Sequence, residues 1–259
     1  MTHYAILGGG RLARHLRHYF SLLQQPCSGW AREPLSPLNS HTEPDVTDRL
    51  RATVAPATHV LLLVSDHAIE PLLTRYPFLR EKTLIHCAGA LSLSGIAGAH
   101  PLMSFAGDLY SLEQYRRIPF TLEHGYCFSD LFPALPNPCH TIDPADKAKY
   151  HALCVMAGNF PQILWHAVAQ RLAGLGLPAE SLAPYLEQVV CNFNAAPSSA
   201  LTGPLSRGDQ NTMRLNLAAL ENDSLQDLYR AFCNFYPHRD IASGVHGANG
   251  VDSQTADGG

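Results

Sequence analysis

The first apolar run of the chain is followed by glycines at a spacing that can bind phosphate. Residues 4 to 7 are Tyr-Ala-Ile-Leu, and Gly8, Gly10 and Ala13 follow in the pattern Gly-x-Gly-x-x-Ala. Gly8 would permit a tight turn, Gly10 would let a pyrophosphate approach the backbone, and Ala13 would let the next helix pack closely on the sheet. The start of that helix would add unpaired N–H groups and a positive dipole end. The spacing therefore predicts a dinucleotide site.

The end of the second predicted strand indicates which dinucleotide is bound. Arg32 follows the glycines by about twenty residues, where an Arg accommodates the 2′-phosphate of NADP. Its neighbour Glu33 would instead bind the ribose hydroxyls if the strand ran one residue further, and the preference would then turn to NAD. An exposed ion pair between the two is the structural alternative. We expect NADP, with NAD the less favoured cofactor.

A third strand end completes the predicted cofactor site. The run His59–Val64 is continuously apolar, as in a central parallel strand, and Ser65 and Asp66 follow it. Asp66 either caps the next helix or lies near the nicotinamide ribose. The predicted cofactor contacts are Gly8, Gly9, Gly10, Arg11, Leu12, Ala13, Arg32, Val64, Ser65 and Asp66.

Histidines and a lysine are the candidates for proton transfer. His86 and His100 follow strand-like or loop segments on the cofactor side, and histidine exchanges protons near neutral pH. A structural role is the alternative for each. Lys147 and His151 are four apart, hence on one helical face, and Asn159 is eight further along. We expect His100, His86 or His151 to transfer the proton. Lys147 and Asn159 would orient or polarise the substrate.

A polar segment, Thr202–Asp209, makes little sense as core. It reads Thr-Gly-Pro-Leu-Ser-Arg-Gly-Asp. Two interpretations stay open for it: a shaped loop that carries polar groups to a site, or an elaborate helix cap.

The elements that must position these residues change character along the chain. Strands and helices alternate in the first third, which is typical of a parallel sheet, whereas helical periodicity begins near Asp143. We therefore predict an α/β fold, a Rossmann doubly wound and mostly parallel sheet followed by an all-helical C-terminal domain. The predicted bounds are 1–142 for the NADP-binding domain, 143–240 for the helical substrate and dimerisation domain, and 241–259 for a disordered tail.

The individual elements follow from apolar spacing and turn residues. The predicted strands are Cys27–Ala31, His59–Val64, Thr83–Cys87 and Ile118–Leu122. The predicted helices are Arg11–Leu23, Val46–Val54, Ile69–Leu73, Ala179–Ala195, a helix that Asp209 caps and that runs through Leu220, and Leu225–Tyr236.

Composition excludes several classes of function. The net charge of −4, without a basic run, disfavours nucleic acids and membrane surfaces as partners. No segment has the length of a membrane span or the layout of a secretory signal. The seven cysteines are scattered, without a Cys-x-x-Cys pair or metal-ligand spacing. We expect a cytoplasmic protein with reduced thiols and no metal.

Together the motifs resemble those of bacterial Rossmann-like NADP oxidoreductases of unassigned function with a helical C-terminal domain. The motifs are Gly8-x-Gly10-x-x-Ala13, His86-x-x-Gly89, His100-Pro101-x-x-Ser104-Phe105, Lys147-x-x-Tyr150-His151 with Asn159, and Thr202-Gly203-Pro204-x-x-Arg207-Gly208-Asp209. The chain is more distantly similar to the superfamily of 6-phosphogluconate dehydrogenase, pyrroline-5-carboxylate reductase and ketopantoate reductase. Ser65 departs from the pattern, since relatives often have Pro there.

The resemblance covers about residues 3 to 237 and has three implications. It implies NADP binding by the first domain, a helical domain that usually builds a dimer, and a site between the domains. We therefore expect hydride transfer between the nicotinamide and a small carbonyl, imine or hydroxy-acid substrate in an interdomain cleft. The alternative is a dinucleotide-binding sensor or scaffold without turnover. The amphipathic stripe in 225–236 favours a homodimer through residues 143–237.

Overall fold

A computed structural model describes residues 2–31 and 43–236 of the chain. Arg32, Glu33 and the predicted tail at 241–259 lie outside the described residues. Two compact units are present, Met1–His166 and Ala167–Gly259, and each is treated by itself below. The predicted domain bounds remain a prediction.

Seven short strands form one sheet in the first unit. They are β1 Tyr4–Leu7, β2 Cys27–Trp30, β3 His59–Leu62, β4 Thr83–His86, β5 Ala97–Pro101, β6 Phe120–Glu123 and β7 Cys139–Ile142. Their order is β2-β1-β3-β4-β5-β6-β7. Strands β1 to β5 are parallel, and β6 and β7 pair in parallel with each other but antiparallel to β5. The mostly parallel sheet predicted from the sequence is confirmed, with strands one or two residues shorter than expected at β2, β3 and β4.

The order of the strands fixes where a ligand can bind. The chain passes from β1 outward to β2 and then crosses back to β3 on the other side of β1. Neighbouring connections therefore leave β1 and β3 in opposite directions, which opens a crevice at their carboxyl ends. The glycine turn follows β1 and the Ser65–Asp66 segment follows β3, so both predicted motifs lie at this crevice.

Strand β1 is buried on both faces because helices cover the sheet on each side. Its alternate residues enter two apolar clusters: Tyr4 and Ile6 belong to one, Ala5 and Leu7 to the other. The first cluster includes Leu16 and other residues of the helix after β1, and the second includes residues of the helices before and after β3. A strand enclosed in this way is apolar throughout, which is the pattern that its sequence shows.

Ten α-helices accompany the strands in the described residues. They are α1 Arg11–Leu22, α2 Glu43–Val54, α3 Ile69–Arg75, α4 Leu112–Arg116, α5 Phe128–Leu131, α6 Lys147–Gly174, α7 Ala183–Ala195, α8 Pro204–Arg207, α9 Gln210–Ala219 and α10 Leu225–Phe235. From residue 147 onward every strand-like pattern is gone, and the C-terminal region is helical as predicted.

The long helix α6 is the one described helix whose length and mean hydropathy of 1.2 would suit a membrane span. Its first residue, Lys147, is nevertheless buried against the sheet in an ion pair. The start of α6 is therefore packed on the sheet, and the apolar surface further along the helix is considered below.

The Thr202–Asp209 segment forms a helix cap. Gly203 and Gly208 have φ of 97° and 67°, which glycine adopts without strain, and the short helix α8 lies between them. Asp209 then caps α9 and accepts hydrogen bonds from the backbone N–H of Thr212 at 3.0 Å and from its hydroxyl at 2.7 Å. Of the two interpretations, the capping one accounts for this geometry.

Candidate functional site

The first glycine of the turn holds three strands together. Gly8 has a φ of 144°, and a Cβ there would overlap the Leu63 carbonyl group just after β3. Its N–H donates a hydrogen bond to the Trp30 carbonyl oxygen at the end of β2, at 2.8 Å. Only glycine allows the chain to leave β1 this close to its neighbours. Gly9 lies beside Ala31, so its place is also at the strand ends rather than in the crevice.

The third glycine opens the turn toward solvent. Gly10 is the N-cap of α1 in an extended conformation, and no described atom lies within 4 Å of a Cβ built on it. The first N–H of the helix to donate to a helix carbonyl is that of Arg14, to Gly10 at 3.0 Å. The N–H groups of residues 11 to 13 thus precede the helical hydrogen bonds and are available to an anion. This open cradle fits a pyrophosphate.

A cleft of about 260 Å³ lies between the carboxyl ends of β1 and β3. It is lined by Gly10, Arg11, Leu12, Ala13, Leu62, Leu63, Val64, Ser65, Asp66, Ile69, Cys87 and Ala88. Seven of the ten predicted cofactor contacts are therefore on its wall, Gly8 and Gly9 shape the turn behind it, and Arg32 is outside the described residues. Asp66 does not occupy the N-cap position, which is that of Ser65, whose side chain makes no capping hydrogen bond; Asp66 itself is exposed at the cleft.

A cluster of titratable side chains lies beside this cleft, and at its centre is a buried ion pair. Lys147 Nζ lies 2.6 Å from Glu123 Oε1, and both side chains are 4% exposed. Ser92 donates a hydrogen bond to the other carboxylate oxygen at 3.1 Å. Gly98 makes room for the pair, since a Cβ there would collide with both charged groups. Lys147 is thus engaged with β6 and anchors the start of α6.

His86, at the end of β4, is fully buried next to this pair. Neither ring nitrogen has a hydrogen-bond partner in the part of the chain that the structure describes. Burial, followed by the positive charge of Lys147, lowers the pKa of His86 to about 4, against the opposing effect of Glu123. The ring is therefore neutral at pH 7 and enclosed by the surrounding residues.

His100 and Tyr150 form a hydrogen-bonded pair across β5 and α6. The Tyr150 hydroxyl lies 2.8 Å from His100 Nδ1. Burial, with the charges of His151 and Lys147, lowers the pKa of His100 to about 4, and burial raises the pKa of Tyr150 to about 12. With His100 neutral and Tyr150 protonated, either the hydroxyl donates to Nδ1 and the ring proton is on Nε2, or Nδ1–H donates to the hydroxyl oxygen, according to the tautomer of His100.

The His151 side chain lies one residue beyond the wall of the cleft. Its ring lies on Gly89, where a Cβ would overlap ring carbon Cδ2, and Gly89 follows the cleft residue Ala88. Its ring centroid is 5.9 Å from that of His100, at a right angle. Asn159 is exposed and lies about 12 Å further along α6, at about 1.5 Å per residue. The structure thus assembles His86, His100, Lys147 and His151, and leaves Asn159 away from them.

Sequence reasoning missed Glu123, Ser92 and Tyr150 as members of this cluster. A weak signal existed for Glu123, which is the single charged residue of a four-residue strand, Phe-Thr-Leu-Glu. A charge in such a strand indicates a buried partner, and lysines are scarce in the sequence. Tyr150 precedes His151 in the Lys-x-x-Tyr-His motif but had no assigned role.

Comparison with known sequences gives a partial match. Residues 124–234 match a family described as a domain of unknown function, DUF2520. That match covers less than half of the chain. None of the curated protein sequences matches the chain.

Comparison with solved structures establishes the fold over nearly the whole chain. A Bacteroides fragilis protein, provisionally named an NADP oxidoreductase, has a TM-score of 0.69 at 20% identity over 92% of this chain and 98% of its own. A reductive aminase from Aspergillus terreus, in complex with NADPH and ethyl levulinate, has a TM-score of 0.57 at 15% identity, covering 93% of this chain and 97% of its own. A Plasmodium falciparum pyrroline carboxylate reductase with NADP bound has a TM-score of 0.55 at 14% identity, covering 90% of this chain and 97% of its own. The fold that the motifs predicted, a Rossmann-like domain with a helical C-terminal region, is confirmed.

Proposed function

We propose that the protein is an NADP-dependent oxidoreductase that transfers a hydride between the nicotinamide and a small carbonyl, imine or hydroxy-acid substrate. The observation that carries the proposal is that a phosphate-binding turn and a candidate proton-exchanging side chain are close to the same cleft, within one unit. A phosphate cradle at Gly10 opens into a cleft, and His151 lies at the residue that follows the cleft wall. A proton-exchanging side chain beside a dinucleotide site is what carbonyl or imine reduction requires.

The cleft suits NADP in its chemistry as well as its position. The open Gly10 cradle and the unpaired N–H groups of residues 11 to 13 fit the pyrophosphate, and Ser65 and Asp66 provide polar groups on the opposite wall. Two of the structural relatives contain NADPH or NADP in this fold, which supports the same cofactor here. When bound, the nicotinamide supplies or accepts the hydride.

His151 is the residue that we assign to proton exchange with the substrate. It is partly exposed and adjoins the cleft, whereas His86 is enclosed. His100 is neutral and bonded to Tyr150 through Nδ1; in the tautomer in which Tyr150 donates to Nδ1, His100 would offer its Nε2–H as a hydrogen-bond donor to a substrate oxygen or nitrogen. Lys147 acts through the fold, since its ion pair with Glu123 holds α6 and therefore His151 in place.

The test is NADPH oxidation by the full chain against keto acids, cyclic imines, ketones with amines, and hydroxy acids with NADP in the reverse direction. We expect turnover with one of these classes. The variant His151→Asn should retain NADPH binding and lose about a hundredfold in kcat, as for a general acid or base. The matched control is His140→Asn, on the exposed face of β7. Tight NADPH binding without turnover across all classes would favour the sensor instead.

We also propose that the protein is a cytoplasmic homodimer assembled through residues 143–237. Four large apolar side chains of α6 are more than half exposed at a spacing of three and four residues: Leu153, Met156, Phe160 and Ile163. Such a stripe is suited to burial against a second copy. Light scattering at micromolar concentration should show a dimer, and Phe160→Glu should give a folded monomer. A wild-type monomer would contradict the proposal. The cytoplasmic location rests on the scattered cysteines of the sequence.

A further inference from the structure

The side chain of Arg17 extends over the face of the sheet, so that its positive guanidinium lies near the end of β2. It lies on α1, on the side that faces β2, directly above Gly29. A Cβ at position 29 would be 2.8 Å from Arg17 Nε and 3.0 Å from Cζ and Nη2. Glycine weakens the interior of a strand, so its presence in β2 is explained by the guanidinium that lies on it.

The guanidinium ends at the glycine turn. Arg17 Nη2 donates a hydrogen bond to the Gly8 carbonyl oxygen at 2.7 Å. The N–H of Gly8 in turn donates to Trp30, the last residue of β2. The charge therefore lies where the carboxyl ends of β1 and β2 meet, which is the place of the adenosine ribose in dinucleotide-binding folds of this type.

The charge has no carboxylate partner within the described ranges 2–31 and 43–236. Its Nε is buried without a hydrogen-bond acceptor, and the side chain is only partly exposed. A guanidinium has five N–H donors, and the bond to Gly8 uses one of them. A partly desolvated cation with spare donors attracts an anion more strongly than one in water.

We propose that Arg17 recognises the 2′-phosphate of NADP and that it makes the site prefer NADP to NAD. The inference rests on the proposed function, because it deepens the assignment of the same cofactor cleft. The phosphate adds negative charge and oxygen acceptors at the ribose, and Arg17 supplies a charge and N–H donors at the end of β2. The residue that selects NADP then lies on α1, about fifteen residues before Arg32. In the sequence, Arg32 follows the second strand, where this fold usually places the residue that distinguishes the two cofactors.

The competing role for Arg17 is a brace that only supports the turn through the Gly8 carbonyl. If Arg17 only supports the turn, its loss weakens the binding of both cofactors alike, because NAD and NADP share the pyrophosphate. If Arg17 binds the 2′-phosphate, its loss weakens the binding of NADP alone. The dissociation constants of NADPH and NADH therefore separate the two roles.

The experiment compares three variants of the full chain by calorimetric titration with NADPH and NADH. In Arg17→Gln the charge is lost; Gly29→Ala displaces the flexible guanidinium but keeps the charge; Arg14→Gln is the control, an exposed arginine on the same helix. We expect Arg17→Gln to weaken NADPH about tenfold or more and NADH less than about twofold, as for one charged hydrogen bond. Gly29→Ala should weaken NADPH in the same direction, and Arg14→Gln should change neither.

Fragments isolate the phosphate itself. Adenosine 2′-phosphate should compete with NADPH for the wild type and lose affinity in Arg17→Gln, whereas adenosine 5′-phosphate should bind both proteins alike. Equal losses for NADPH and NADH in Arg17→Gln would overturn the inference, as would a wild type that binds NADH as tightly as NADPH. A wild type that binds neither dinucleotide would overturn the proposed function itself, so the two failures are distinguishable. Thermal melting of each variant confirms that it is folded.

Discussion

The cofactor cleft and the buried cluster beside it are built by opposite means. The cleft is made from backbone and small residues that are close in sequence: a glycine turn, the first N–H groups of α1 and the short segment after β3. The cluster is made from charged and polar side chains of four elements, β4, β5, β6 and α6, together with Ser92 from the segment between β4 and β5. Phosphate can be bound by a local turn, whereas a proton-exchanging histidine must be held by long-range packing. The cleft should therefore tolerate changes in the surrounding fold that the cluster does not.

The largest effect should come from removing one partner of the buried ion pair. Lys147→Met leaves the Glu123 carboxylate buried with Ser92 as its remaining partner, which should lower the free energy of unfolding by about 3 to 5 kcal/mol. The neighbouring, exposed Lys149→Met is the matched control. Urea unfolding measures both. Replacing Glu123 by Leu as well should recover much of the loss. A single variant as stable as the wild type would mean that the pair does not anchor α6.

The cleft should respond in ligand binding rather than in stability. Gly10→Val places a side chain in the open space of the cradle, so it should fold normally and bind NADPH at least about a hundredfold more weakly, equal to about 3 kcal/mol. Gly8→Ala is the contrasting variant, since its Cβ meets the Leu63 backbone and should destabilise the fold. Normal NADPH binding by folded Gly10→Val would show that the turn does not hold the pyrophosphate.

The same difference explains how much the sequence could reveal. Seven of the ten predicted cofactor contacts line one crevice and two more form the turn behind it, because backbone geometry is encoded by short local patterns; their role in binding stays a prediction. The pairing of Lys147 with Glu123, 24 residues apart, depends on how β6 and α6 pack, and no spacing rule carries that information. Histidines could be named as candidates, but only burial distinguishes the enclosed His86 from His151 beside the cleft.

A third test uses pH to probe the enclosed histidine. The pKa of His86 is about 4 in the folded protein, below its ordinary value of 6.5, so the unfolded chain binds more protons between these values. Stability should therefore be fully present above about pH 6.5 and fall toward pH 4, with His86 contributing on the order of 3 kcal/mol. His86→Leu should keep the stability at neutral pH and flatten this dependence. The pKa of His100 is lowered in the same direction, so His100 should preserve part of the pH dependence in this variant. An unchanged slope in the variant would show that His86 does not titrate as its burial requires.

The smallest effect should come from Ser92, the outermost partner of the buried pair. Its hydroxyl donates to Glu123 Oε2 at 3.1 Å, but Ser92 is itself exposed, so water can replace it in part. Ser92→Ala should therefore lower the free energy of unfolding by about 1 kcal/mol, well below the effect of Lys147→Met. Ser94→Ala, two residues on and exposed, is the matched control and should be neutral. Combining Ser92→Ala with Glu123→Leu should cost less than the sum of the single changes, because both remove the same hydrogen bond. If the two losses of stability were strictly additive, Ser92 would not act through its hydrogen bond to Glu123. The stabilising contacts of the cluster would then be limited to the ion pair.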